Sequence, residues 1–325
     1  MKLFKAIALA VMVSLLPVSY LHAGVQQQIA EGITGAGNQV VKTVSETTNK
    51  VVKGVQTIIS NLTSGKPAVL SGDTLRIATY NIAYGRGNDR GGLNELGGKP
   101  QNLLGVARII KNQKFDIVGT TETACADLRG GLSNQPAVIA NYSGLRNYVY
   151  GENHRFGLIV IGMGNAIFSK FPIVWSKNHA LYRANPESEQ RGCLEAMIDL
   201  GPARGKIRVF VTHLSLSPSE SNQQLRQICK IINSRAEPCV MMGDLNSSPT
   251  SANIKLVLQS MTDVSEDSGG TYWPKSAQNN PSACEKIDYI FSRGKLSKKG
   301  ASWVTGFKEG CSDHGCVAVS LQLTK

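Results

Sequence analysis

Polar and charged side chains recur at the ends of apolar runs in this chain, and their types are those that phosphoester hydrolysis needs. Asn81 closes Thr79-Tyr80-Asn81-Ile82, Glu122 lies in Gly119-Thr120-Thr121-Glu122-Thr123, and Asn165 lies in Gly164-Asn165-Ala166-Ile167. His213 falls in Val211-Thr212-His213-Leu214, and Asp244 and Asn246 fall in Met242-Gly243-Asp244-Leu245-Asn246-Ser247. Asp288 sits in Lys286-Ile287-Asp288-Tyr289-Ile290, and Asp313 and His314 in Ser312-Asp313-His314-Gly315. Carboxylates can hold a divalent cation that neutralises phosphate oxygens. A histidine can move the proton of the attacking water, and a carboxylate beside it orients and charges the ring. Amides can donate to developing negative charge. Taken singly, each residue has a structural explanation, since Asp and Asn after a strand cap their own turn. Their repetition at strand ends is what argues for one site, because strand ends converge on one rim of a sheet.

The elements that must position these groups begin near Asp73. Strands are expected at Leu75 to Ile82, Asp116 to Thr121, Leu158 to Ile161 and Ala166 to Ser169, the last two joined by a turn at Gly162-Met163-Gly164. A hairpin is expected from Leu194 to Leu200 and Ile207 to His213, followed by strands at Val240 to Gly243, Ile287 to Phe291 and Val317 to Leu323. Helices are expected at Gln101 to Asn112 and Ser219 to Ser234, the second with Leu225, Ile228, Ile231 and Ile232 on one face. Hairpins mixed with crossover helices predict an α/β chain of stacked layers.

Residues 1–23 read as a signal peptide: Lys2 and Lys5, an apolar stretch from Ala6 to Val18, and a small-residue cleavage site at Leu21-His22-Ala23. Export to the extracellular space or a periplasm is therefore expected, with no membrane span in the mature chain. Residues 24–73 form an N-terminal extension without Cys, Trp or Tyr, in which Val44, Thr48, Val51, Val55, Ile58 and Leu62 recur at helical spacing. That pattern suits an amphipathic helix for oligomerisation or tethering, or a partly ordered extension. Lys66-Pro67 marks the boundary before a domain over 74–325.

Losing Lys2 and Lys5 with the signal leaves a formal charge of +10 of the whole chain's +12. Such an excess suits a polyanionic partner or an acidic membrane surface. All seven cysteines follow the signal, so export predicts disulfides, with Cys229–Cys239 the best pair and Cys284 with Cys311 or Cys316 the second. No Cys/His grouping has zinc spacing.

The order Tyr-Asn-Ile, strand-end Glu, Gly-Asn-Ala-Ile, Thr-His-Leu, Gly-Asp-Leu-Asn, Ile-Asp-Tyr-Ile, Ser-Asp-His resembles the endonuclease/exonuclease/phosphatase superfamily, in its DNase I-like, two-histidine branch. The resemblance implies a four-layer αββα sandwich with two packed mixed β-sheets and the active site at the mouth between them. It implies Mg²⁺, with Mn²⁺ or Ca²⁺ as alternatives, held mainly by Glu122 with Asn81 and Asp313. Asp244 and Asn246 would orient water and phosphate, with Asn165 assisting. His314 would pair with Asp288, and His213 would face it across the scissile phosphate, the division of acid and base staying open. Thr121 departs from the Gln that many members carry before the Glu.

Within that family the expected activity is a metal-dependent endonuclease acting on DNA. Its substrate contacts would come from Arg86 in the Gly-rich stretch Tyr84 to Pro100, with Arg90 and Lys99, and from Arg191, for which a structural ion pair is equally suitable. Lys295, Lys298 and Lys299 form a second basic cluster suited to solubility. A sphingomyelinase-like phospholipid diesterase is the alternative, with Tyr272-Trp273-Pro274 as its only apolar tip, and a sugar or inositol phosphatase is the third. A non-catalytic binding protein on the same fold would lack a carboxylate or histidine of the set, and none is missing.

Overall fold

The computed structural model describes residues 67–88, 97–156, 161–273 and 284–324. The expected signal peptide, the amphipathic segment of the extension, Arg90 and Pro274 lie outside them. Residues 68–325 form a compact unit of their own.

Two mixed sheets carry the site. The first contains β1 (Thr74–Asn81), β2 (Ile117–Thr123), β3 (Asn147–Phe156), β4 (Ile161–Ser169), β11 (Leu296–Lys298), β12 (Trp303–Thr305) and β13 (Cys316–Leu323). Its order is β11-β13-β1-β2-β4-β3, with β12 paired to β13. The second contains β5 (Ile173–Ala180), β6 (Gly192–Asp199), β7 (Lys206–His213), β8 (Cys239–Asp244), β9 (Thr262–Asp263) and β10 (Asp288–Arg293), in the order β5-β6-β7-β8-β10-β9. Each sheet has one parallel pair at its centre, β1 with β2 and β7 with β8. A parallel pair needs a crossover, and the helices α1 (Pro100–Asn112) and α3 (Pro218–Asn233) supply the two. The short α2 (Gln135–Ser143) and α4 (Ala252–Val257) lie beside them.

Alternation along the strands builds three apolar layers. Leu75, Ile77, Ile117, Val209, Val211, Val240, Met242, Ile290, Val317 and Val319 fill the space between the sheets. Their strand neighbours Ala78, Tyr80, Val118 and Phe168 pack against Val106 and Ile110 of α1 and Ile139 of α2. On the other side Phe210, Met241, Tyr289 and Phe291 pack against Leu225, Ile228 and Ile232 of α3. The result is the expected sandwich of two sheets faced by helices. Among the described residues no helix is long and apolar enough to cross a membrane.

Two expectations are corrected, and one strand goes unanticipated. The Gly162-Met163-Gly164 segment is not a turn but the first half of β4, paired with β3. Gly164 is there for close approach: a Cβ would stand 2.4 Å from the Gly151 carbonyl oxygen and 2.5 Å from the Tyr150 ring. The edge strand β5 escapes the pattern because four consecutive residues in it are exposed. All seven cysteines are free thiols. Cys229 turns toward the Ser260 hydroxyl while Cys239 faces Arg293, and Cys311 bonds the Glu309 carbonyl at 3.5 Å. None of the expected pairs is formed.

Candidate active site

The rim of the second sheet places three of the candidate residues side by side. His213 ends β7, Asp244 ends β8 and Asp288 begins β10, and the pairing register sets His213 opposite Asp244 and Asp244 opposite Asp288. Gly243 makes this closeness possible, since its φ is 140° and a Cβ would stand 1.9 Å from the Thr212 carbonyl oxygen. The loop before β13 then brings His314 over the row. Its Nδ1 lies 2.8 Å from Asp288 Oδ2, which also accepts the Thr271 hydroxyl at 2.7 Å. The Nε2 atoms of both histidines aim at one atom, Asp244 Oδ2, from 3.5 Å for His213 and 3.7 Å for His314.

Burial gives these groups opposed proton affinities. Burial of the His314 ring works against its charge, but Asp288, through charge and hydrogen bond, and Asp244 overrule it and carry the ring up to about 9. His213 is driven well below the ordinary histidine value by burial, with Arg191 and His314 adding to the effect. The Asp244 carboxyl is pushed up to about 7, first by burial and then by Asp288. At neutral pH the pair is thus one charged and one neutral histidine about a carboxylate close to its own midpoint, an arrangement suited to giving and taking protons.

The first sheet supplies the other side. Asn81 ends β1 and is fully buried. Its amide nitrogen donates to Glu122 Oε1 at 3.2 Å and to Asp244 Oδ2 at 3.0 Å, so it ties the two sheets' carboxylates together. Its oxygen accepts the Ala83 N–H at 3.0 Å, and Ser312 donates to its backbone carbonyl at 2.7 Å. Glu122 sits on a bulge of β2 with φ 48°. The next turn is left-handed too, with φ 46° at Ala83 and 55° at Tyr84. Such conformations cost on the order of 1 kcal/mol or more each in residues other than glycine, and they gather where function holds them.

The oxygen donors fit a hard divalent cation. Glu122 keeps 18% of its side chain exposed, and the Asp244 carboxyl is raised by burial and then by the charge of Asp288. As placed, Asn81 orients Glu122 rather than offering its own oxygen. Asp313 is buried beside Ser312, whose hydroxyl lies 3.4 Å from its carboxylate. Asp244, Asp288 and His314 also gather within 4.8 Å of one another. The Asp288 oxygen in that group is already shared by His314 and Thr271, so Glu122 is the better anchor for a cation and the group around His314 the better one for protons.

The remaining candidates are distributed unevenly. Asn246, with φ 46°, donates its amide to the Leu214 carbonyl at 2.9 Å and its backbone N–H to Asp244 Oδ1 at 2.9 Å. Asn165 spends its amide nitrogen on the carbonyls of Gly192 and Val211, at 3.0 and 3.2 Å, and so joins the sheets. Arg86 lies 3.5 Å from Glu122 Oε2. Arg191 is buried, 3.7 Å from Glu189 and 3.8 Å from the Met163 sulfur. Lys298 pairs with Asp267 at 2.5 Å, away from this constellation's contacts. Tyr272 does not form an apolar tip: its ring packs against His314 at a tilt of 44° with centroids 4.8 Å apart, and Trp273 meets Phe307 edge-on. Sequence reasoning missed Thr271, Tyr84, Arg129 and Gln135. A buried Gln135 at the start of α2 accepts the Ala124 N–H at 2.9 Å and donates to the Tyr84 carbonyl at 2.6 Å, bolting the loops after β1 and β2 together.

Comparisons agree with this geometry. A model of the endonuclease/exonuclease/phosphatase family matches residues 78–314. No curated protein sequence matches the chain. Among solved structures, an endonuclease/exonuclease/phosphatase from Beutenbergia cavernae is 24% identical with TM-score 0.63, over 77% of this chain and 72% of that one. The mannosyl-6-phosphatase Bt3783 of Bacteroides thetaiotaomicron is 19% identical with TM-score 0.58, over 76% and 99%. The D. rerio TDP2 complexed with a single-strand DNA product is 18% identical with TM-score 0.56, over 77% and 99%. At these identities the structures share the fold. With the family match spanning most of its length and the site residues in place on that fold, the chain belongs to the endonuclease/exonuclease/phosphatase family of phosphoester hydrolases.

Proposed function

We propose that the protein is an exported, divalent-cation-dependent phosphodiesterase whose substrate is DNA, cut internally. The observation that carries the hydrolytic reading is the convergence of two histidines on Asp244 beside a partly exposed Glu122 tied in by Asn81. Glu122 would hold Mg²⁺, which supplies charge neutralisation at the phosphate when bound. Asp288 holds His314 charged, suited to the leaving oxygen, while neutral His213 is suited to accept the proton of water. Asp244 stands between them, and Asn246 fixes the Asp244 carboxylate through its backbone N–H.

The nucleic-acid reading is supported by the formal charge of +10 that remains once the signal-like residues with Lys2 and Lys5 are removed from the chain's +12, and by Arg86 beside Glu122. The signal-like first 23 residues support export. A phosphomonoesterase is the second reading, favoured by the fold shared with a mannosyl-6-phosphatase. A substrate panel tests the choice: supercoiled plasmid, a hexose 6-phosphate and sphingomyelin vesicles, each with Mg²⁺. Plasmid nicking far faster than phosphate release from the sugar supports the proposal. Sugar-phosphate or sphingomyelin turnover with an intact plasmid overturns it and leaves the family chemistry standing.

A further inference from the structure

Beside Glu122 lies a cationic site that the hydrolytic machinery does not use. Tyr84 is buried, aimed inward by the left-handed turn at Ala83-Tyr84-Gly85. Two guanidinium groups pack on its ring, Arg129 with its carbon 4.6 Å from the centroid and Arg86 at 5.5 Å. Arg129 also donates to the Tyr84 hydroxyl at 2.9 Å. Arg86 in turn reaches Glu122 at 3.5 Å, so a single tyrosine ring separates Arg129 from the cation that flanks the proposed metal ligand.

Arg129 is held differently from the ion-paired arginines. Arg208 and Arg235 are held by Glu195 and Arg191 by Glu189, each within 4 Å, but no carboxylate of the described residues stands that close to Arg129. Its partners are a neutral phenol and an aromatic face. The charges of Glu189 and Glu122 reach it only from beyond ion-pair distance, and cation–π contact returns only part of the cost of keeping a guanidinium partly out of water. The surrounding loop is nonetheless built to hold it. Its carbonyl accepts the Gly98 N–H at 2.8 Å, the next residue's N–H bonds Asp127 Oδ1 at 2.8 Å, and Gln135 anchors Tyr84 from below. A guanidinium fixed on Tyr84, beside the Arg86–Glu122 pair and outside ion-pair distance of any described carboxylate, suits a second phosphate oxygen pair.

We infer that Arg129, braced by Tyr84, is a specificity-determining residue that binds the phosphate neighbouring the scissile one in a nucleic-acid strand. The inference rests on the nucleic-acid reading above. A substrate with one phosphate has nothing to place there, so Arg129 favours polymers over phosphomonoesters.

The test is equilibrium binding of a fluorescein-labelled DNA duplex by anisotropy, in EDTA so that no bond is cut, repeated across a series of NaCl concentrations. Wild type, Arg129→Gln and Arg129→Lys are compared, with Arg129→Met taking the place of Arg129→Gln should that variant not fold. The neutral variant is expected to bind about tenfold more weakly, the loss of one charge-assisted contact. Its log–log salt slope should shrink by about 0.9, the counter-ion release of one phosphate, whereas Arg129→Lys keeps the wild-type slope. A merely structural role would not move the slope. Unchanged affinity and slope in a folded neutral variant would overturn the assignment while leaving DNA as the substrate. Absence of salt-dependent DNA binding by the wild type would overturn the nucleic-acid reading and this inference together.

Discussion

The two rims that face each other across the site are built on the same plan and used differently. Each comes from a parallel strand pair joined by a crossover helix, and each ends in a carboxylate, Glu122 on one sheet and Asp244 on the other. Glu122 is partly exposed, set on a strained bulge among arginines. Asp244 is buried in a row of titratable neighbours that shift one another's proton affinity. The exposed rim is suited to charge, taking a cation and holding phosphates. The buried rim is suited to protons, because only in low dielectric do Asp288 and Asp244 keep one histidine charged while burial keeps the other neutral. Asn81 is the single side chain that bonds both carboxylates.

If that division holds, breaking the exposed rim should cost the most activity with the least effect on stability. Glu122→Ala is expected to lower Mg²⁺-dependent turnover by about 10³-fold or more, roughly 4 kcal/mol in the barrier, with an unchanged melting temperature. A large fall in melting temperature would show Glu122 to be a structural residue. The buried rim should behave in the opposite way. Gly243→Ala places a Cβ against the Thr212 carbonyl at a φ other residues avoid, and is expected to cost about 3 kcal/mol of stability along with activity. Urea unfolding reads the first and plasmid nicking the second.

Asp288→Asn sharpens the comparison. Turnover should fall about 10²-fold as His314 loses its charge partner. Because the folded value of His314 is raised to about 9, its stabilisation is fully present below the ordinary value of 6.5 and is lost as pH rises through about 9. Asp288→Asn should therefore destabilise by about 2–3 kcal/mol at pH 6 and by much less at pH 10. Equal losses at both pH values would contradict the charged pair. The smallest effect has the opposite sign. A carboxyl raised to about 7 loses stability for the fold as pH climbs from 3.8 through 7. In EDTA at pH 8, Asp244→Asn should be more stable than wild type by on the order of 1 kcal/mol and yet inactive. A less stable variant would mean that the hydrogen bonds from Asn81 and Asn246 outweigh the relieved repulsion.

The sequence made the buried rim readable because strand ends place side chains by register: His213, Asp244 and Asp288 were recognisable as residues before their contacts were known. Ser312-Asp313-His314 was recognisable by order alone, but not the tilted contact of Tyr272 with His314 or the Thr271 hydroxyl on Asp288, which come from loops far apart in the chain. Helix α1 and strand β13 show their periodicity. The edge strand β5 does not, being exposed on consecutive residues, and Gly164 reads as a turn when it actually admits a neighbouring backbone. Arg129 was invisible for a related reason. Its significance lies in its place on Tyr84 beside the Arg86–Glu122 pair, with no carboxylate of the described residues within ion-pair distance, and only packing determines that. The disulfide expectation came from the inferred compartment, whereas the packing leaves all seven cysteines as free thiols.

The most direct test of the central claim is plasmid nicking by the protein with Mg²⁺, with EDTA and with Mg²⁺ restored, beside Glu122→Ala and His314→Ala. The account predicts nicking that vanishes in EDTA, returns with the cation, and is lost in both variants. Nicking that persists in EDTA or in Glu122→Ala would contradict it.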